Sequence, residues 1–283
     1  MSQLKLGLLD HHLNTSHSTT FLKLLRGPLS EGVEIVGAWE SSPEIPDGHE
    51  KHKLTKMNSA QEVIEASNAI MVLAPNNAEA HLELARPALE AGLPVYIDKS
   101  IADTVENAKE ILRLSEKHNA PVMAASSLRF AVELDELQKG APGPYESVFT
   151  RGMGKWNGYS VHTIAMALRL FGTNITRLID TGTQGIRTVT LDDGNRRCTI
   201  EVREAENQHE ASPWQAGVLV GDKYEVTTVK RFPEFYENML RAALEFFRTG
   251  KSPVSNQEMI MSVAVEDAAD LSLSKGGVWV DVG

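Results

Sequence analysis

The stretch VYIDKSIADTVENAKEILRLSEKHNAPVMAASSLRF, residues 95–130, constrains the fold more than any other part of the chain. It opens with the apolar run Val95-Tyr96-Ile97, which stops at Asp98-Lys99-Ser100. The spacing then predicts a helix over about 104–118, with Ile111, Leu112 and Leu114 on its inner face and Glu110 opposite Arg113 or Lys117 outside. Asn119-Ala120-Pro121 ends that helix, and Val122-Met123-Ala124-Ala125 reads as a second buried strand. Two buried strands joined by a helical crossover belong in a parallel sheet, because only a crossover of that length returns the chain to the same end.

The same alternation runs back to the start. Strands are predicted at 4–9, 33–39, 69–73, 94–98 and 121–125, with helices from Ser16 to Gly27-Pro28, at 62–66 and at 78–91, the last closed by Gly92. This order implies a Rossmann-like doubly wound parallel sheet over residues 1–126. The style changes over 127–283. A helix ends at Lys139, and Gly140-Ala141-Pro142-Gly143-Pro144 is a loop. A strand at 146–150 and a helix at 160–171, ended by Gly172, follow. Three to five strands lie between Ile175 and Val229, with an Asp193-Gly194 hairpin turn among them. Helices at 234–249 and 257–274 precede a last strand at 278–280. The second domain is therefore expected to be α+β, with a mostly antiparallel open sheet. The chain as a whole is α/β, and its 283 residues suit two domains.

Charge and composition exclude several functions. The formal net charge is −10 and no long Lys/Arg run occurs, which argues against nucleic acid. Cys198 is the single cysteine, so no internal disulfide can form and a reducing, cytoplasmic setting is expected. No segment reads as a signal peptide or a membrane span. His49-Glu50-Lys51-His52 has metal-like spacing but is expected in a loop without further ligands, so no metal is expected. Gly250-Lys251-Ser252 imitates the end of a phosphate loop but follows a helix.

Ligands of open α/β sheets sit outside the carboxyl ends of the strands. Lys99, beside Asp98, is placed there and can hold a hydroxyl or pass a proton. On spacing alone it reads more readily as a solvated turn lysine. The segment Ala91-Gly92-Leu93-Pro94-Val95-Tyr96-Ile97-Asp98-Lys99-Ser100 resembles the A-G-K-x-V-x-x-E-K-P signature of the Gfo/Idh/MocA oxidoreductases. Residues 69–81, through Ala74-Pro75-Asn76 to His81, are similar to that family's strand and A-T-P-N-x-x-H, and Arg129-Phe130 is similar to its R-F. The resemblance covers about residues 60–130. It implies that Lys99 contacts nicotinamide and substrate, and that Pro75, Asn76, His81, Asp98 and Arg129 line the cofactor site.

The departures from the family pattern are informative. Asp10, His12 and Thr15 stand where G-x-G-x-x-G would put its glycines, so a dinucleotide is expected to bind differently or weakly. The N–H groups at Asn14-Thr15-Ser16 can still face an anion, and His11, His12 and His17 can help neutralise one. Glu40, ending the second strand, is expected to accept from the adenosine ribose and so to favour NAD slightly over NADP. Ser100 replaces the proline of E-K-P. Its peptide bond is expected to be trans, since cis before a non-proline residue costs about 2.5–4 kcal/mol. His162 matches the histidine of the family's D-x-G-x-H, Gly158 replaces an aspartate, and Tyr159 is placed to share the face of His162. A lone histidine is more often a core residue, and Asn76 or Asn77 suits plain helix capping.

The implied activity is NAD(P)-dependent hydride transfer at a hydroxyl carbon of a sugar, inositol or related polyol, with Lys99, His162 and Tyr159 around that hydroxyl. A homodimer or homotetramer is expected through the second sheet. Two alternatives stay open: a non-catalytic metabolite- or protein-binding relative that has lost the dinucleotide, and a cofactor-free lyase or isomerase using the same residues.

Overall fold

The computed structural model describes residues 3–42, 48–204 and 213–283. The chain divides into two compact units, Met1–Ala125 with Tyr236–Met259, and Ser126–Phe235 with Ile260–Gly283.

The first unit alternates strand and helix: β1 (Leu4–Asp10), α1 (Ser16–Leu25), β2 (Val33–Glu40), α2 (Gly48–His52), α3 (Ala60–Ala66), β3 (Ala69–Val72), α4 (His81–Glu90) after a short 3-10 turn (Ala78–Ala80), β4 (Val95–Ile97), α5 (Val105–His118) and β5 (Val122–Ala124). The five strands pair in parallel in the order β2-β1-β3-β4-β5. β3, β4 and β5 are buried along their whole length, as strands covered on both faces must be. The polar breaks in the sequence set the helix starts. Thr15, Ser59 and Thr104 each accept a bond from an N–H in the first turn of α1, α3 and α5. Asn119, with φ 52°, turns the chain out of α5 in the left-handed region. A Cβ on Gly7 would lie 2.3 Å from Ser67 Oγ and 2.5 Å from Val63, so only glycine lets α3 approach β1 this closely.

The late segment Tyr236–Met259 completes this unit. Met239 Sδ lies 3.1 Å from the Tyr96 hydroxyl, Met259 Sδ lies 3.1 Å from the Ala124 N–H, and the Tyr236 ring packs edge-on against Phe21. Two local expectations are corrected. His49–His52 is helical rather than loop, because α2 packs its Gly48 against Leu13 and Glu40. The Lys99–Ser100 peptide bond is cis rather than trans.

The second unit begins with a 3-10 turn (Ser127–Phe130) and α6 (Val132–Gly140). Strand β6 (Ser147–Met153), a broken helical turn α7 (Trp156–Tyr159) and α8 (Val161–Phe171) follow. Then come β7 (Arg177–Asp180), β8 (Ile186–Asp192), β9 (Arg197–Arg203), β10 (Gln215–Val220) and β11 (Lys223–Thr228). The chain ends with α9 (Glu234–Thr249), α10 (Asn256–Ser274) and β12 (Val280–Asp281). Seven strands form one sheet in the order β11-β10-β6-β9-β8-β7-β12. Every pair is antiparallel except β6 with β9. β8 and β9 alternate buried and open residues, so one face is covered and the other is not. α8 is buried along nearly its whole length. It comes so close to β6 that a Cβ on Gly152 would lie 2.0 Å from Thr163 Oγ1. Arg187 pairs at 2.5 Å with the fully buried Asp180, bonds Asp270, and stacks its guanidinium 4.4 Å from the Trp156 ring centre. The final strand is shorter than expected and is held by its pairing of Val280 with Leu178.

Candidate active site

In the first unit, β1 stands between β2 and β3, so the strand order reverses there and opens the crevice at the strand tips. Asp10, at the tip of β1, is fully buried. Its Oδ1 accepts the N–H groups of Ala74 (3.0 Å) and His12 (3.2 Å), and its Oδ2 accepts from Ser18 Oγ at 3.2 Å. Burial pushes its pKa up to about 7 against the pull of those bonds. Thr15 Oγ1 in turn lies 2.7 Å from Ser18 Oγ and caps α1. Three side chains thus fill the loop where glycines would leave room. His11 bonds Ser41, and the buried His12 Nδ1 has no partner among the described residues.

Glu40 is the clearest departure from expectation. Its Oε1 takes the Leu13 N–H at 2.5 Å and its Oε2 lies 3.0 Å from His49 Nε2, with the side chain 6% exposed. His52 Nε2 lies 3.1 Å from the Leu13 carbonyl oxygen. The Leu13 N–H and the His49 ring from α2 therefore engage both carboxylate oxygens.

At the tips of β3 and β4 the polar groups converge. The Lys99 ammonium, buried, donates to the Pro75 carbonyl at 2.7 Å. Asp98 accepts the Lys99 N–H at 2.8 Å, and its other oxygen lies 2.5 Å from His17 Nδ1. Burial raises the Asp98 carboxyl, but the His17 ring and the Lys99 charge together hold it below the usual carboxylate value. His81 is fully buried, 2.8 Å from the Ser100 carbonyl oxygen and 3.1 Å from that of Ala74. Burial lowers its pKa. It braces the turn rather than facing solvent. Asn76 is exposed, and Asn77 makes no side-chain cap bond.

A dinucleotide fits this unit only with an altered donor set. The N–H groups of His12, Leu13, Thr15 and Ser18 are already bonded within the chain. Those of Asn14, Ser16 and His17, at the start of α1, have no partner among the described residues. They can donate to a pyrophosphate, with the His11 and His12 rings beside them.

In the second unit, His162 is buried on α8 with Nδ1 2.8 Å from Ser126 Oγ. Tyr159 packs its ring edge-on at 4.7 Å from the imidazole and nearly parallel to Trp214 at 6.4 Å. Burial raises the Tyr159 hydroxyl pKa. Gly154, at φ 105°, admits the Tyr159 ring, which would meet a Cβ at 2.3 Å. Tyr159 and His162 do not share one unbroken helix, since Gly158 at φ 83° interrupts it and donates its N–H to Glu266. Beside this cluster, Met153, Pro213, Trp214, Val229, Phe232 and Phe235 line an apolar cavity of ≈ 250 Å³. The Arg129 guanidinium lies 5.7 Å from the Phe130 ring, in the turn that Ser126 caps. Among the described residues no cluster of His, Cys, Asp or Glu could hold a metal. No described helix is long and apolar enough to cross a membrane.

Sequence reasoning missed Ser126, Trp214 and the pairing of His17 with Asp98. Ser126 could have been found from its place two residues beyond β5. Trp214 lies far along the chain, and nothing in the sequence links it to His162.

Residues 10–126 match the model of the Gfo/Idh/MocA oxidoreductases, described as an oxidoreductase family with an NAD-binding Rossmann fold. No curated protein matches the chain. Among solved structures, myo-inositol dehydrogenase from Lactobacillus casei, in complex with NAD(H) and myo-inositol, is similar with a TM-score of 0.83 at 15% identity, covering 100% of this chain and 97% of that one. Apo scyllo-inositol dehydrogenase from the same organism is similar at a TM-score of 0.81 and 12% identity, covering 99% of both chains. GenD2 of gentamicin A biosynthesis, in complex with NAD, is similar at a TM-score of 0.82 and 12% identity, covering 99% of this chain and 97% of that one. At these identities the likeness concerns the fold.

Proposed function

Because residues 10–126 match the model of the Gfo/Idh/MocA oxidoreductases, we propose that the chain belongs to that family and transfers hydride between NAD or NADP and a hydroxyl carbon of a sugar, inositol or related polyol. The observation that carries this is the group at the tips of β3 and β4, where Lys99 is buried at 2.7 Å from the Pro75 carbonyl and beside Asp98. A buried lysine held at a crevice can orient a hydroxyl as the ammonium and, once it has passed on one of its own protons, take the proton of that hydroxyl as the carbon is oxidised. Nicotinamide, when bound, supplies the hydride chemistry. The N–H groups of Asn14, Ser16 and His17, with His11, His12, Pro75, Asn76 and Asp98 around them, would hold the dinucleotide. Because Glu40 is engaged by Leu13 and His49, it supports no choice between NAD and NADP.

The second unit is proposed to recognise the substrate. The Tyr159, His162 and Trp214 rings offer flat faces to the C–H side of a sugar ring, and Ser126 fixes His162 for a hydroxyl contact. We assign its sheet to homo-oligomer contacts and, given the single buried Cys198, the protein to the cytoplasm.

Titration with NADH and NADPH, followed by nucleotide fluorescence, tests the reading first. Binding below millimolar is expected, with NAD(P) reduction on myo-inositol, scyllo-inositol or a simple aldose. Lys99→Met is expected to reduce turnover by about 10²–10⁴-fold without loss of fold. Silence of both nucleotides up to millimolar refutes the reading and favours a non-catalytic binder.

A further inference from the structure

The first unit holds a contact between two side chains, the His17 ring and the Asp98 carboxylate, to which the proposed function gives no role. His17 lies in the first turn of α1, and its Nδ1 is 2.5 Å from Asp98 Oδ2 at the tip of β4. β3 runs between β1 and β4. The imidazole therefore reaches across the tip of β3, beside the reversal of strand order where open α/β sheets hold their ligands. Two rings fix it from the sides: Phe21 at 5.4 Å and Tyr236, edge-on, at 5.8 Å. The Lys99 N–H fixes Asp98 from below at 2.8 Å.

The partner decides which ring nitrogen carries the proton. An ionised carboxylate only accepts, so Nδ1 is the N–H and Nε2 keeps its lone pair. Nε2 has no partner among the described residues and is not sealed from solvent, and the side chain keeps 12% exposure against 1% for Asp98. An imidazole oriented by a buried carboxylate, with its second nitrogen open to a ligand crevice, has the arrangement of a general base and its orienting acid.

The geometry points to His17, oriented by Asp98, as a second proton-transfer group of this crevice, its Nε2 taking the proton of a ligand hydroxyl and returning it. This rests on the proposed reaction for its ligand class, a polyol hydroxyl. In the step the ligand O–H bond breaks and the Nε2–H bond forms. The oxygen keeps the electron pair, and the ring gains one positive charge beside the Asp98 carboxylate. Asp98 is a positioning residue. The other groups that bear on the pair are Lys99, His81 and Tyr96 around Asp98, and Tyr236 beside the ring.

Imidazole ¹⁵N shifts of histidine-labelled protein read the tautomer directly. The Nδ1–H form is expected for His17, lost in Asp98→Asn, with a shift of Nε2 when myo-inositol is added with NADH. In turnover of myo-inositol, His17→Gln is expected to lose about 10²–10⁴-fold in kcat/KM. Its urea-unfolding transition is expected to stay unchanged, which shows that the variant is folded. The acidic limb of the pH profile is expected to disappear, and added imidazole to rescue His17→Ala in part. An Nε2–H tautomer in the wild type, or a His17→Gln variant as active as the wild type, overturns the dyad. A wild type that binds no NADH overturns the proposed reaction instead. The tautomer, and the response of Nε2 to myo-inositol alone, then decide the dyad separately.

Discussion

Asp10 makes the first unit sensitive to pH in a direction opposite to an ordinary surface carboxylate. Its carboxyl is fully buried, and its pKa rises from 3.8 to about 7. At about 1.4 kcal/mol per decade, ionised Asp10 costs the fold on the order of 4 kcal/mol. The sign follows from proton counts. The unfolded chain loses this proton near 3.8 and the folded chain only near 7, so between those values the folded state binds more protons. Stability therefore falls as pH rises through that window and levels off above it. Asp10→Asn removes the titration and keeps the geometry. Its oxygen can accept the Ala74 and His12 N–H groups, and its amide can donate to Ser18 Oγ. The stability advantage of the variant over the wild type is expected to grow by about 2–3 kcal/mol between pH 5 and pH 7. Denaturant-dependent hydrogen exchange of the β1 amides reads this for the first unit alone. An advantage that stays constant across that range means Asp10 is ionised in the folded protein throughout, and refutes the reasoning.

The same carboxyl lies beside the proposed pyrophosphate seat, so NADH affinity is expected to fall by about tenfold from pH 6 to pH 8, with the fall abolished in Asp10→Asn by fluorescence titration. Glu40→Gln is expected to destabilise the first unit by about 1–3 kcal/mol while leaving the ratio of NADH to NADPH affinity unchanged; an altered ratio would show that the carboxylate reaches a ribose after all. Gly152→Ala places a methyl group 2.0 Å from Thr163 Oγ1 and 2.8 Å from the Trp214 ring. It is expected to cost about 1–3 kcal/mol in urea unfolding. Arg187→Met leaves Asp180 buried without its cation, and a loss of about 3–5 kcal/mol is expected in the same assay.

The readable parts of the sequence were those whose causes are local. The helix over 105–118 announces itself by its apolar spacing, by Thr104 at its start and by Asn119 at its end. The Asp193-Gly194 turn joins β8 and β9 because Gly194 takes φ 91° and Asp192 accepts its N–H. The crowded loop after β1 was also legible, since side chains at Asp10, His12 and Thr15 had to fill space that glycines leave open. What escaped depends on partners far along the chain. Glu40 looks like a ribose acid until α2 brings His49 to it and the loop brings Leu13. His17 looks like a spare cation until the sheet order carries it across β3 to Asp98. The parallel pairing of β6 with β9 was likewise hidden, because alternation along a strand specifies its buried face and not its neighbour's direction.

The packing of Tyr236–Met259 against the first 125 residues has a consequence for biosynthesis. At a translation rate of roughly 5–20 residues per second, the segment that seats Met239 and Met259 emerges on the order of 6–25 s after Ala125. Through that interval Tyr96 and Ala124 lack the sulfur atoms they touch in the finished protein, and Phe21 lacks the Tyr236 ring. The nascent first unit is thus a natural client for a holding chaperone. A fragment released at residue 125 would leave the ribosome with an open apolar seat, whereas stalling beyond residue 259 would let the unit close.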